Sequence, residues 1–300
     1  MKEELSPEKY ISSIEKIIGI LWVILLLVVV LLGSVFIDFD KIRQHFLVAK
    51  KIESENPKAS IQNDYWAPPD STTINLLPDA ELIKYGRQLI ANTSHFLGPK
   101  GTVAKSTNGM NCQNCHLDAG TKIFGNNYSA VASTYPKFRG RSGTYESIEK
   151  RVNDCFERSL NGQALKHDSK EMKAIVSYIK WVGSNVKKGE PPKGSGLVKI
   201  TLLDRPASPE NGKVLYADKC STCHGKDGQG VLKPSGDGYT YPPLWGENSY
   251  NWGAGLYRLS TFAGYIKANM PLGATIDAPQ LTDEECWDLA AYINSLPRPK

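Results

Sequence analysis

Two five-residue strings constrain this chain more than anything else in it: Cys112-Gln-Asn-Cys115-His116 and Cys220-Ser-Thr-Cys223-His224. Two thiols at this spacing can add across the two vinyl groups of one haem, and the histidine that follows is then carried under the iron as its proximal ligand. Two occurrences in a chain with only five histidines point to two covalently attached c-type haems. The competing readings, a zinc site or a redox dithiol, do not need a histidine directly after the second cysteine in both copies. Covalent haem attachment takes place on the far side of the bacterial inner membrane, so the bulk of the chain is expected in the periplasm.

The strings sit inside an internal repeat. Upstream of the first, Pro78 to Ile90 reads as a helix that contains Gly86; upstream of the second, Ser208 to Ala217 does so with Gly212. Ser208 is a good cap, with Pro209 at the first helical position. Downstream, Glu171 to Ile179 in the first copy is echoed by Trp287 to Ile293 in the second, where Thr282 and Glu285 form a capping box. The order helix, haem string, loops, closing helix resembles the class I cytochrome c fold, so an all-α protein with two such domains in tandem and little sheet is expected. The first domain covers 79–186 and the second 208–300, with a linker over 187–207 that is rich in Gly, Pro and Lys. The copies differ in one respect: 25 residues separate Gly86 from Cys112, against 7 between Gly212 and Cys220. This excursion either covers a site or is an idle surface loop.

Residues Ile17 to Ile37 form a run of 21 without a charge or a proline. As a helix it would be roughly 31 Å long, matching a bilayer core of about 30 Å. Cleaved signal peptides have apolar runs of about 7–15 residues followed by small residues, whereas bulky Val35, Phe36 and Ile37 lead into Asp38 here. An uncleaved single-pass transmembrane helix over 17–37 is therefore expected, with a cytoplasmic tail over 1–16 and a polar stalk or wrap over 38–78. Charge is uneven along the chain. Between Asp79 and Ala207, 20 basic residues face 11 acidic ones, giving +9, while the segments on either side carry −2 each. This asymmetry asks for an anionic partner at the middle third. No basic and aromatic nucleic-acid module is legible.

Each iron needs a sixth ligand or an open position. In the second copy Met270, followed by proline in Lys267-Ala-Asn-Met270-Pro-Leu-Gly, is the candidate, since Met with His ligation raises the potential. Lys267 is its rival, and core filling is the bland alternative. The first copy has no such loop: Met172 reads as core, Met1 and Met110 are badly placed, and His95 and His167 are weak candidates. Cys155 stands out. Ile148, Val152, Phe156 and Leu160 repeat every four residues, which predicts an amphipathic helix capped by Thr144 and stopped at Gly162. Arg151 and Ser159 flank Cys155 at four residues on either side, aligning a guanidinium, a sulfur and a hydroxyl along one edge, with Arg158 on the adjacent row. That setting favours thiolate, the form that ligates iron and attacks sulfur. The alternatives are an idle buried thiol and a disulfide to Cys286, the other spare cysteine.

These residues carry a family resemblance. Tyr85-Gly-Arg87, Met110-Asn-Cys112 through Gly120, Tyr135-Pro136, Arg141, Arg151-Val-Asn-Asp-Cys155-Phe-Glu-Arg158-Ser159-Leu-Asn161-Gly162 and Tyr178-Ile-Lys-Trp181, together with the Met270 run, resemble the dihaem thiosulfate dehydrogenases, some of which run as tetrathionate reductases. The resemblance spans about residues 79–300. It implies a catalytic haem with His and Cys axial ligands, matching His116 and Cys155, a pocket to which Arg141, Arg151 and Ser159 belong, and a relay through the haem of His224 and Met270. The implied substrates, thiosulfate and tetrathionate, are dianions, and the implied partner is a small cytochrome c or a membrane redox protein. Two other classes compete: a tethered dihaem electron shuttle without catalysis, and a sulfur-oxidising-complex cytochrome that loads thiosulfate onto a carrier protein. The anchor departs from the soluble, signal-cleaved members of the family.

Overall fold

The computed structural model describes residues 15–30 and 64–300. Residues 64–300 form one compact unit. Residues 15–30 are helical with exposed side chains. Among the described residues no helix is long and apolar enough to cross a membrane. Residues 1–14 of the expected tail over 1–16, residues 31–37 of the expected span over 17–37 and residues 38–63 of the expected stalk over 38–78 lie outside the described residues.

The compact unit is built from two similar halves, each clamped by its first and last helices. In the first half α1 (Ala80–Ala91) packs on α3 (Lys170–Val182). Ile83, Gly86, Leu89 and Ile90 fall on one face of α1 and are buried. Ser169 caps α3, its hydroxyl accepting from the Met172 amide. The crossing is close because Gly86 has no side chain: a Cβ there would lie 2.0 Å from the Ala174 carbonyl oxygen. In the second half α4 (Pro209–Lys219) and α6 (Asp283–Ser295) repeat the arrangement, and a Cβ on Gly212 would lie 2.0 Å from the Asp288 carbonyl oxygen. The predicted caps form: Ser208 accepts from the Asn211 amide, and Thr282 with Glu285 makes the reciprocal capping box. Between them lies α5 (Leu259–Asn269).

The helix carrying Cys155 is shorter than its periodicity suggests. Helix α2 spans Ile148–Arg158 and is capped by Ser147, not Thr144. Thr144 belongs instead to β2 (Thr144–Glu146), which pairs antiparallel with β1 (Lys137–Arg139). Extended backbone at Thr144 and the nearer hydroxyl of Ser147, which accepts from the Lys150 amide, move the helix start by one turn. A second small hairpin, β3 (Val231–Leu232) with β4 (Tyr239–Tyr241), completes the sheet content of the described residues.

The segments outside the helical clamps are fastened down. Trp66 donates its amide to the Lys193 carbonyl and its indole N–H to Asn185 Oδ1, both at 2.9 Å, so the residues just before the first clamp wrap over its surface. The linker is pinned to the first half by Phe124 N–H to Gly194 O and Asn126 N–H to Gly196 O, each 2.9 Å. It is pinned to the second half by the Trp287 indole on the Thr201 carbonyl at 2.8 Å. Arg205 forks onto Asp288 with two bonds of 2.9 Å, and the Ser208 amide adds a third at 2.7 Å. Breaker-rich composition here gives a strap, because its turns expose backbone groups that both halves satisfy.

The excursion before the first string also has a role. It forms a short helix, Thr93–Leu97. Thr93 Oγ1 accepts from the Cys112 amide at 3.0 Å, and Asn111 Oδ1 accepts from the Ser94 amide at 2.8 Å. Ser94 Oγ donates to the Asp237 carbonyl of the second half at 2.5 Å. The insertion thus props one haem string and docks the halves together.

Candidate active site at the junction of the two halves

Two cavities hold the strings. The first, of about 280 Å³, is lined by Cys112, Cys115 and His116 from the string and by Cys155 from α2. His116 Nδ1 lies 2.6 Å from the Asn126 carbonyl oxygen, and the ring stacks on Tyr128 at 4.6 Å. A carbonyl can only accept, so Nδ1 carries the proton and Nε2 keeps a free lone pair. Gly120, at φ 83°, lets the chain turn tightly enough to bring Tyr128 up: a Cβ there would sit 2.1 Å from the Tyr128 ring.

The second cavity, of about 390 Å³, is lined by Cys220, Cys223, His224 and Met270 within a largely apolar wall. His224 repeats the device, its Nδ1 donating to the Pro242 carbonyl at 2.8 Å. Met270 follows α5 as its C-terminal cap, in extended backbone. Lys267, its rival in the sequence, is committed elsewhere: Nζ binds the Leu281 carbonyl and Asp283 Oδ1, both at 2.8 Å, and the residue is not in the cavity wall. Met110, set aside on sequence grounds, is buried and does line this cavity. Cys115 borders both cavities, and Tyr265 of the second wall donates to the Asn114 carbonyl at 2.9 Å. The two sites are therefore neighbours across the junction.

The remaining sequence candidates separate cleanly. Cys155 is a free thiol in the first cavity, and Cys286 is a free thiol buried in the α6 core, so no disulfide joins them. Met172 is fully buried in α3. His95 Nδ1 lies 3.2 Å from Asp237 Oδ2, and His167 is exposed; neither lines a cavity with a string.

Arg151 Nη1 is 3.2 Å from Cys155 Sγ, the i,i+4 contact expected along one helix edge. Burial pushes the Cys155 thiol up, but the opposing causes, the Arg151 guanidinium first among them, outweigh it and bring the group to about 6, so thiolate is favoured at neutral pH. Ser159 follows α2 and lines the same cavity.

Through Arg139, Arg151, Ser159 and Arg258 the first cavity shares its wall with a third, of about 210 Å³. Five guanidinium groups line this third cavity, those of Arg139, Arg141, Arg151, Arg158 and Arg258. Arg139 and Arg141 come from β1 and the turn after it, and Arg141 Nη1 reaches across to the Gly253 carbonyl of the second half at 2.8 Å. Asp154, buried beneath, binds Lys150 and Arg158, the latter at 3.2 Å. Such a cavity suits a small polyanion. Sequence reading brought together Arg141, Arg151, Cys155 and Ser159 and missed Arg139 and Arg258. Arg139 carried only a faint signal, its place two residues before Arg141 at the end of β1. Arg258 carried none, since it belongs to the other half.

Both haem cavities pass the chemical test for the group their strings imply. Each offers two thiols in the wall, one imidazole with a free Nε2, and a sulfur from a further residue, Cys155 or Met270.

Comparison with known proteins agrees. The profile described as "SoxA/TsdA, cytochrome c domain" matches residues 102–187, and that described as "Cytochrome c" matches 209–297. A thiosulfate dehydrogenase of Psychrobacter arcticus is 40% identical over 234 residues, covering 77% of this chain and 68% of that protein. A thiosulfate dehydrogenase of Allochromatium vinosum is 38% identical over 235 residues, 75% of this chain and 82% of that protein. The solved structure of thiosulfate dehydrogenase (TsdBA) from Marichromatium purpuratum in its as-isolated form superposes with a TM-score of 0.73 at 32% identity. That match covers 82% of this chain, which spans about half of the other, 52%. Two tandem cytochrome c domains, two covalently bound c-type haems and relatives of this similarity place the chain in the dihaem thiosulfate dehydrogenase family.

Proposed function

We propose that this chain interconverts two thiosulfate ions with one tetrathionate and two electrons, at the cavity that holds Cys155. The observation that carries the reading is the Arg151–Cys155 contact at 3.2 Å, beside the first haem string and in a cavity that shares its wall with the arginine-lined one. Joining two dianions forces four negative charges together, and the guanidinium groups offset that repulsion with forked, charge-assisted hydrogen bonds. Arg151 also keeps Cys155 as thiolate. That thiolate joins the outer sulfur of a first thiosulfate: an S–S bond forms and two electrons leave, giving an S-thiosulfonate on Cys155. The outer sulfur of a second thiosulfate then attacks the sulfur attached to Sγ. The Sγ–S bond breaks, tetrathionate departs and the Cys155 thiolate returns. The Ser159 hydroxyl lies where it can donate to a sulfonate oxygen.

The residues that would hold the haems are Cys112, Cys115 and His116 with Cys155 as further ligand, and Cys220, Cys223 and His224 with Met270. Bound there, the haems supply iron that takes these electrons singly and passes them to an external carrier, a small cytochrome c or a membrane redox protein. We also place the chain in the inner membrane through residues 17–37, with the cavities in the periplasm. The uncharged run of 21 residues and the need for extracytoplasmic haem attachment support this.

Replacing Cys155 with alanine tests the function. Thiosulfate-dependent dye reduction with tetrathionate formation is expected to fall at least about a thousandfold, with both haems still attached. Retained turnover in that variant overturns the mechanism. The SoxA part of the matched profile keeps a second reading in view, thiosulfate loaded onto a carrier protein. Activity that appears only when such a carrier is added would favour it.

A further inference from the structure

Resting on the thiosulfate reading above, we propose that Arg258, supplied by the electron-transfer half, is a substrate-contacting residue that holds the sulfonate of the second thiosulfate, so the active site is complete only when both halves are present. The ends of tetrathionate are two sulfonates separated by a chain of two sulfurs, so a site that makes it needs cations at two places. The inner place is set by α2, where Arg151 lies against the Cys155 sulfur. An anion bonded to that sulfur meets Arg151 first.

The outer place is decided by which other guanidinium reaches the Cys155 cavity without a carboxylate beside it. Arg158 is paired with Asp154 at 3.2 Å and does not line that cavity. Arg141 holds the Gly253 carbonyl through Nη1 at 2.8 Å and lines only the arginine-lined cavity. Arg139 has the Glu146 carboxylate 4.0 Å from its Nε. For Arg258, Nε lies 3.4 Å from the Thr261 hydroxyl, and among the described residues no carboxylate pairs with it. It borders both the cavity of Cys155 and the arginine-lined cavity, so it stands in the wall the two share. Burial, and then repulsion from Arg139, Arg141 and Arg151, pull its pKa down, the mark of a cation whose neighbours are cations. A dianion held beside it relieves that repulsion. The placement also puts one helix between the two functions: α5 begins after Arg258 and ends before Met270, about 16 Å further on.

The experiment compares Arg258→Gln and Arg258→Lys with the unaltered holoprotein. Steady-state assays at varied thiosulfate are combined with mass spectrometry of the Cys155 peptide quenched during turnover. In Arg258→Gln the KM for thiosulfate is expected to rise at least about tenfold, and the Cys155 S-thiosulfonate to accumulate because its discharge needs the second anion. Arg258→Lys is expected to recover part of the loss, since it keeps the charge without the fork. Haem content and the absorption spectrum of the Met270 haem serve as the check on folding in both variants. A KM within twofold of the unaltered protein, without adduct accumulation, overturns the proposal while leaving the Cys155 mechanism intact. Absence of any adduct in the unaltered protein during turnover overturns both.

Discussion

The contrast between two arginines one turn apart on either side of Cys155 gives a quantitative test. Arg151 has its Nη1 3.2 Å from the Cys155 sulfur, whereas Arg158 is paired with Asp154. Two unit charges at 3.2 Å attract by about 5 kcal/mol at an effective dielectric of about 20. Burial of the guanidinium offsets part of this, and hydrogen bonds to charged groups contribute about 1.5–3 kcal/mol net. Arg151→Gln is therefore expected to lower kcat/KM for thiosulfate by about tenfold to 150-fold. Arg158→Gln removes a charge that is turned to Asp154 rather than to the sulfur and leaves Lys150 on Asp154, so a loss of no more than about threefold is expected. The assay is dye-coupled thiosulfate oxidation on holoprotein matched for haem content. Equal losses in the two variants, or a greater loss for Arg158→Gln, would refute the idea that the free guanidinium beside the sulfur does the chemistry.

Other consequences follow from the same geometry. Gly212→Ala puts a methyl group 2.0 Å from the Asp288 carbonyl, so thermal melting of the holoprotein should show a loss of about 1–3 kcal/mol, where a neutral result would mean α4 and α6 can part freely. Burial raises the Asp288 pKa, but the Arg205 guanidinium and the Ser208 amide bring it below the ordinary carboxylate value. Its contribution is thus present above an unfolded value of about 3.9 and is lost as pH falls through the lower folded value. Melts across acidic pH should show a shallower decline for Asp288→Asn than for the unaltered protein. Met270→Ala should lower the potential of the second haem in a redox titration. Lys267→Ala should leave that haem's spectrum unchanged, because the ammonium is bound to Asp283.

What the sequence made legible was local. The haem strings, the caps at Ser208 and Thr282, and the Arg151–Cys155–Ser159 edge are fixed by spacings of four residues or fewer, so one chain suffices to read them. Gly86 and Gly212 could be matched as repeats, but their reason, a helix crossing too close for a methyl group, needs the partner helix. Thr144 reads as a cap in the sequence because periodicity does not register a short strand whose pairing partner lies across a turn. Arg258 and Met110 were invisible or misjudged for a related reason. Each lines a cavity together with residues from the other half, and a contact between halves leaves no period in either. The linker shows the converse: its Gly and Pro content suggests looseness, yet the hydrogen bonds of Gly194, Gly196 and Thr201 tie it to both halves.

The central claim is that the Cys155 sulfur is bonded to substrate sulfur in the catalytic cycle. The most direct measurement is site-resolved mass spectrometry of the oxidised holoprotein, mixed with thiosulfate and quenched within a turnover. The account predicts one thiosulfate-derived S–SO3 group on the peptide containing Cys155, none on Cys286, and its disappearance as tetrathionate is released. An enzyme that makes tetrathionate at full rate while Cys155 stays unmodified throughout would contradict it.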